Sequence, residues 1–232
     1  MAIDALVKDS GTSPSERRER YGLLLAAIVA AFGVQGIAQP GKYEQVIVSV
    51  LLGAALLLAL WAADARAPVK RGALIVVILV LAASVIEAAN GTVEGTASRL
   101  ANLLLVVLAP PVVILGVARS LRQRGEVTVE AVFGVLCLYL LLGMCFAFTY
   151  GVINRYDGPF FANGGAATAS NCLYYSFTTL TTVGYGDLTA ASNLGHTLSM
   201  FEALLGQIYL VTIVSLIVGN LRRGPRRGAS GD

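Results

Sequence analysis

The chain has 232 residues, of which 56% are hydrophobic and only 13% charged, about half the charge of an ordinary soluble domain (roughly 25%). With a mean hydropathy of +0.73 there is too little polar surface to wrap a water-soluble globule of this size, so a soluble enzyme is disfavoured. The pI near 8.8 is accordingly no footprint of nucleic acid, and none is expected as a partner. Three cysteines with no CxxC pair and a single histidine form neither a disulfide framework nor a zinc site; small buried thiols are expected.

Residues 1–20 are polar and carry both signs of charge. Ser13 as N-cap, Pro14 at the first helical position and Glu16 closing a capping box predict a helix start, and the helix continues through Arg17, Arg18 and Arg20 into an apolar run. A cleaved signal peptide does not suit so long a leader, acidic as well as basic. Apolar runs cover roughly 21–38, 46–63, 72–88, 100–118, 131–153 and 197–220. A transmembrane helix needs about 20 mostly apolar residues. Each run is long enough, although the third is the shortest and is expected to end at the interface. None alternates as a barrel strand must, so the predicted fold is an all-α membrane protein with six transmembrane helices.

Basic residues set the orientation. With the N-terminus in the cytoplasm, fourteen of the seventeen Lys and Arg fall inside, and only Lys42, Arg99 and Arg155 fall outside. Both termini are then cytoplasmic and the protein is a multi-pass cell (inner) membrane protein. Between the fifth and sixth runs, residues 154–168 are rich in Gly and Ala, with Pro159 and two phenylalanines, and are expected to be a loop. The semi-apolar stretch that follows, within 169–181, is too short to cross. Such a segment predicts a re-entrant half-helix, which is tolerated only when buried in protein or lining water.

Directly after it comes Thr181-Thr182-Val183-Gly184-Tyr185-Gly186-Asp187. Here the chain resembles the potassium-channel family, whose selectivity filter carries the TVGYG signature, in the layout of six-helix voltage-gated members. Glycines at 184 and 186 can adopt positive φ, which brings carbonyls that would alternate in an ordinary strand to one side. The resemblance implies a filter over 182–186, with the carbonyls of Thr182, Val183, Gly184 and Tyr185 and the Thr182 hydroxyl as potassium ligands. One strand of oxygens per chain implies a homotetramer. Potassium is the permeant ion; no cofactor is implied.

The resemblance also implies support for the filter. Tyr174 and Tyr175 match the aromatic pair of the pore helix, and the Tyr174 phenol is placed to donate to Asp187. Thr178 stands where some bacterial relatives have a buried Glu that pairs with that Asp, so inactivation dependent on such a pair is not expected. Glu202 needs a partner, because a carboxylate at the centre of a span costs about 3 kcal/mol or more; hydroxyls of Thr178 or Thr179 are in expected reach. Gly206 falls at the family's hinge position, although glycine also permits close helix packing. Gln207, Leu210, Val214 and Val218 are expected to line the cavity and inner path.

The four runs before the pore suggest a voltage-sensor layout without its charges. Residues 100–118 contain no Lys or Arg, Arg99 and Arg119 only flank them, and Pro110-Pro111 is expected to disrupt a regular helix. The second run has no acid before Asp64 and the third only Glu87, so little or no voltage sensing is expected. The domains expected are thus a cytoplasmic segment (1–20), a sensor-like bundle without gating charges (21–124), a pore domain (125–221) and a basic tail (222–232). That tail is an expected cytoplasmic anchor, with anionic lipid as a sharper possibility for contact. It leaves no room for a cytoplasmic nucleotide- or calcium-binding domain, a compact layout expected of a bacterial member. His196, the lone histidine, leaves external pH sensitivity open, although a single exposed His usually confers none. Two other classes compete: a secondary cation transporter, against which stands the lack of an internal repeat, and a channel subunit that needs a partner chain.

Overall fold

A computed structural model describes residues 14–37, 41–91, 96–124 and 128–221. These residues form seven helices: α1 (Pro14–Ile37), α2 (Lys42–Ala62), α3 (Ala67–Ala89), α4 (Thr96–Arg124), α5 (Val129–Tyr156), α6 (Ala169–Leu180) and α7 (Asn193–Leu221). The fold is all-helical. Five of them, α1 to α5, are long and apolar enough to cross a membrane. The 29-residue α7 carries the apolar stretch 197–220. Ser13, proposed as the cap of α1, and the basic tail at 222–232 lie outside the described residues.

Helices α1 to α4 pack into a bundle in which α2 is central, touching α1, α3 and α4. Its core is aliphatic, with Leu24, Ile28, Leu52, Leu56, Leu105 and Val113 almost wholly buried. Inside that core lies a polar knot. Ser49 on α2 donates to Asn102 on α4 at 2.7 Å and shares a 2.8 Å hydrogen bond with Ser84 on α3. Such groups are costly to bury unless paired, and here each meets another. At the other end, Arg20 of α1 pairs with Asp64 at 2.9 Å and lies 4.3 Å over the Trp61 ring.

Two sequence expectations are corrected. The third helix is not cut short: α3 has 23 residues, because Pro68 starts it early from an extended Arg66 and draws Lys70 and Arg71 into its first turns. Nor do Pro110 and Pro111 break α4, which runs unbroken for 29 residues. Ala109 and Val113 on either side of the pair are buried in the bundle, so packing holds the helix where two backbone donors are lost, as neighbouring helices allow in a membrane.

Helices α5, α6 and α7 make the second unit. Thr128 caps α5 by accepting from Ala131 N, and Thr168 caps α6 by accepting from Asn171 N at 3.1 Å. The two units meet where α4 and α1 pack on α5 and α1 also touches α6. Among the described helices, α7 packs only on α5 and α6.

Candidate functional site

The 12-residue α6 ends at Leu180, and Thr181 N closes it by donating to Phe177 O at 3.0 Å. The segment that follows, a single strand of chain that joins no sheet, is built on alternation. Thr182 (φ 59°), Gly184 (φ 54°) and Gly186 (φ 80°) have positive φ, whereas Val183 and Tyr185 between them do not. Alternating the sign of φ turns successive carbonyls toward one side, which an ordinary strand does not do. The glycines adopt it freely. Thr182 is β-branched, so its positive φ costs about 1–3 kcal/mol and persists only where neighbours impose it.

Those neighbours are carbonyls at the end of α6. Thr182 N donates to Thr179 O at 2.9 Å; Val183 N and Gly184 N both donate to Thr178 O, at 2.9 and 3.1 Å. Thr178 therefore holds the strand by its backbone, while its hydroxyl bonds back to Tyr175 O. From α7, Gln207 Nε2 donates to the Thr182 hydroxyl at 3.0 Å, placing a cavity-candidate side chain against the first residue of the signature.

Around the strand stands a shell of aromatic rings. Tyr174 lies parallel to Tyr185, centroids 6.2 Å apart. Its phenol hydrogen-bonds to Asp187. Tyr175 is buried among Tyr150, Phe160 and Phe161, edge-on to each, and its hydroxyl meets Ser199 of α7 at 2.7 Å. The loop that supplies Phe160 and Phe161 is stitched to the segment after residue 186: Ala162 N donates to Thr189 O and Ala191 N to Phe160 O. Asn163 Nδ2 donates to Asp187 O.

Glu202 is fully buried behind this shell. It does not meet Thr178 or Thr179. Tyr150 of α5 donates to its Oε2 at 2.5 Å, and Ser176 of α6 meets its Oε1. Ser176 also donates to Gly143 O at 2.7 Å, so one carboxyl ties together α5, α6 and α7. The reason for the difference is rotation of α6: Ser176 lies on its buried face, while the Thr178 hydroxyl serves its own helix.

Gly206 is a point of close approach. A Cβ there would lie 2.2 Å from Leu180 O, so α7 crosses the end of α6 against bare backbone, and the helix continues unbroken past it. Gln207 and Leu210 are exposed in the single chain. Val214 and Val218 belong to α7, but their side chains lie outside the described residues. His196 is tied by its ring Nε2 to Ala190 O at 2.8 Å.

Residues 134–223, less than half of the chain, match the family model described as ion channel. The match supports an ion channel. It spans most of α5, all of α6, the strand 182–186 and α7, and with five helices able to cross a membrane it supports a multi-pass membrane protein. No curated protein and no solved structure matches the chain.

Tyr150, Ser176, Ser199, Phe160 and Phe161 were not singled out by sequence reasoning. A signal existed for the last two: adjacent aromatics in a loop otherwise rich in Gly and Ala have no reason to be there unless they pack. Tyr150 and Ser176 gave none, because hydroxyls inside apolar helices are common and their partners lie 52 and 26 positions away.

Proposed function

We propose that this protein conducts potassium passively and selectively through a pore made by four copies of the chain. The observation that carries the reading is the alternating φ at 182, 184 and 186, in a TVGYG sequence, at the end of a buried short helix. The carbonyls of Thr182, Val183, Gly184 and Tyr185, with the Thr182 hydroxyl, replace water around a dehydrating cation. Glycine at 184 and 186 makes that array possible, and four strands are needed to surround an ion. The C-terminal end of α6 contributes a negative dipole beneath the filter, which favours a cation there.

Support falls to Tyr174, Tyr175, Thr178, Asp187 and Glu202. Gly206 sets the approach of α7, and Gln207, Leu210, Val214 and Val218 line the path to the cytoplasmic side. Six helices cross the membrane and both termini face the cytoplasm. Apolar residues exposed on α7 in the single chain, Met200, Phe201, Leu204, Leu205, Ile208 and Val211, have a use in such an assembly, where adjoining copies and the pore account for them. The bundle α1–α4 carries no charge array, so opening depends little on voltage.

The test is the reversal potential of the purified protein in a planar bilayer with potassium on one side and sodium on the other. A selective channel reverses near the potassium equilibrium potential. Reversal near zero sinks selectivity, and current that requires a proton gradient favours a transporter.

A further inference from the structure

The four-helix bundle, without gating charges, still reaches the pore through one cation. Arg99 lies in the first turn of α4, yet its guanidinium turns toward the other unit. Nη1 donates to Gly151 O near the end of α5 at 2.9 Å, and Nη2 donates to Ala167 O at 3.0 Å. Ala167 immediately precedes Thr168, the cap of α6. One planar fork therefore spans the end of α5 and the start of the pore helix, geometry suited to Arg and poorly met by Lys.

Two further features are built around this contact. Gly151 has no side chain where the guanidinium lies: a Cβ there would be 2.8 Å from Arg99 Nη1. The start of α4 is itself fixed, because the Glu87 carboxylate of α3 accepts from Ala97 N and Ser98 N, both at 3.0 Å. From α1, Gln35 Nε2 donates to Ala169 O at 3.4 Å, and Ser170 Oγ donates to Gly36 O at 3.0 Å. The first residues of α6 are thus held from the bundle side by α4 and α1. Coupling between units requires such a continuous physical connection.

We propose that Arg99 is a positioning residue through which the bundle fixes the outer end of the pore helix and so sets the conducting state of the filter. The proposal rests on the channel reading above and adds to it a role for the bundle. In the bound geometry the charged fork holds α6 at its N-terminal end, while Thr178 and Thr179 at its other end hold the strand 182–184. A change in bundle packing at α3 or α4 moves Arg99, then Ala167 and the cap, and α6 transmits that displacement to the filter.

Single-channel recording of the full-length protein in planar bilayers tests this with Arg99→Met and Gly151→Ala. The first removes both donors and keeps an apolar stem. The second places a methyl group against the guanidinium, in a helix where Ala is otherwise the better residue. Both are expected to change open probability by about tenfold, the scale set by hydrogen bonds to a charged group, with unitary conductance close to the unmodified channel. The double variant is expected to show no further change, since both remove one interaction. Open probability unchanged in either single variant overturns the proposal. So do additive effects in the double variant, or a lower yield of tetramers whose survivors gate normally. An unmodified protein that passes no potassium current overturns the channel reading itself and the role of Arg99 with it.

Discussion

Ser176 has one hydroxyl proton and two acceptors in reach, Gly143 O and Glu202 Oε1. Both contacts are satisfied together when Glu202 donates to Ser176 and Ser176 donates onward, while Tyr150 donates to the second carboxyl oxygen. Glutamine reproduces that pattern, with its NH2 toward Ser176 and its carbonyl toward Tyr150. Glu202→Gln is therefore expected to assemble and conduct, whereas Glu202→Ala takes the carboxyl away from the buried Tyr150 hydroxyl and leaves Ser176 only its bond to Gly143 O, at a cost of about 1–3 kcal/mol. Thermal unfolding of the two variants in the same detergent checks this, and equal melting temperatures would remove Glu202 from any supporting role. At Gly206, Ala meets a backbone carbonyl that has nowhere to go. Gly206→Ala is expected to destabilise by about 1–3 kcal/mol, read in the same melts. The carboxylate and this glycine were visible in the sequence because each is out of place in its setting. Their partners were not, because they depend on how α5, α6 and α7 are rotated against one another.

At the scale of elements, apolar length alone located the helices, since in lipid no other continuous structure satisfies the backbone. Where sequence reasoning erred, tertiary packing overrode a local rule: α4 continues through Pro110 and Pro111 because the bundle holds it. The short α6 was legible from its length, and the bend after it from the glycines; positive φ at Thr182 was not, because threonine gives no hint of it. Within α4 no charge stands between Arg99 and Arg119, and the neutral pair Asn102 and Ser49 joins it to α2 in the bundle core. One charge crossing the whole field changes the open–closed balance by about 2.3 kcal/mol per 100 mV. Open probability is therefore expected to stay nearly flat over a 100 mV range in symmetrical potassium. A change equivalent to several charges in bilayer recordings would contradict this.

For the whole molecule, the low charge count first said only that the chain belongs in a membrane; where those charges stand says more. Arg99 faces the unit of α5 to α7, Glu202 joins three helices, and Arg20 with Asp64 closes the far end of the bundle. Assembly was legible only as a requirement of the proposed filter, of which one chain would supply a quarter. The central claim is that this chain alone makes a potassium-selective passive pore through residues 182–186. Rubidium uptake into potassium-loaded liposomes holding only the purified protein tests it most directly, beside Gly184→Ala, whose added Cβ opposes positive φ. Barium-sensitive uptake, driven by the potassium gradient alone and lost in the variant, is expected. Uptake that needs a proton or sodium gradient, or that survives Gly184→Ala unchanged, would contradict that claim.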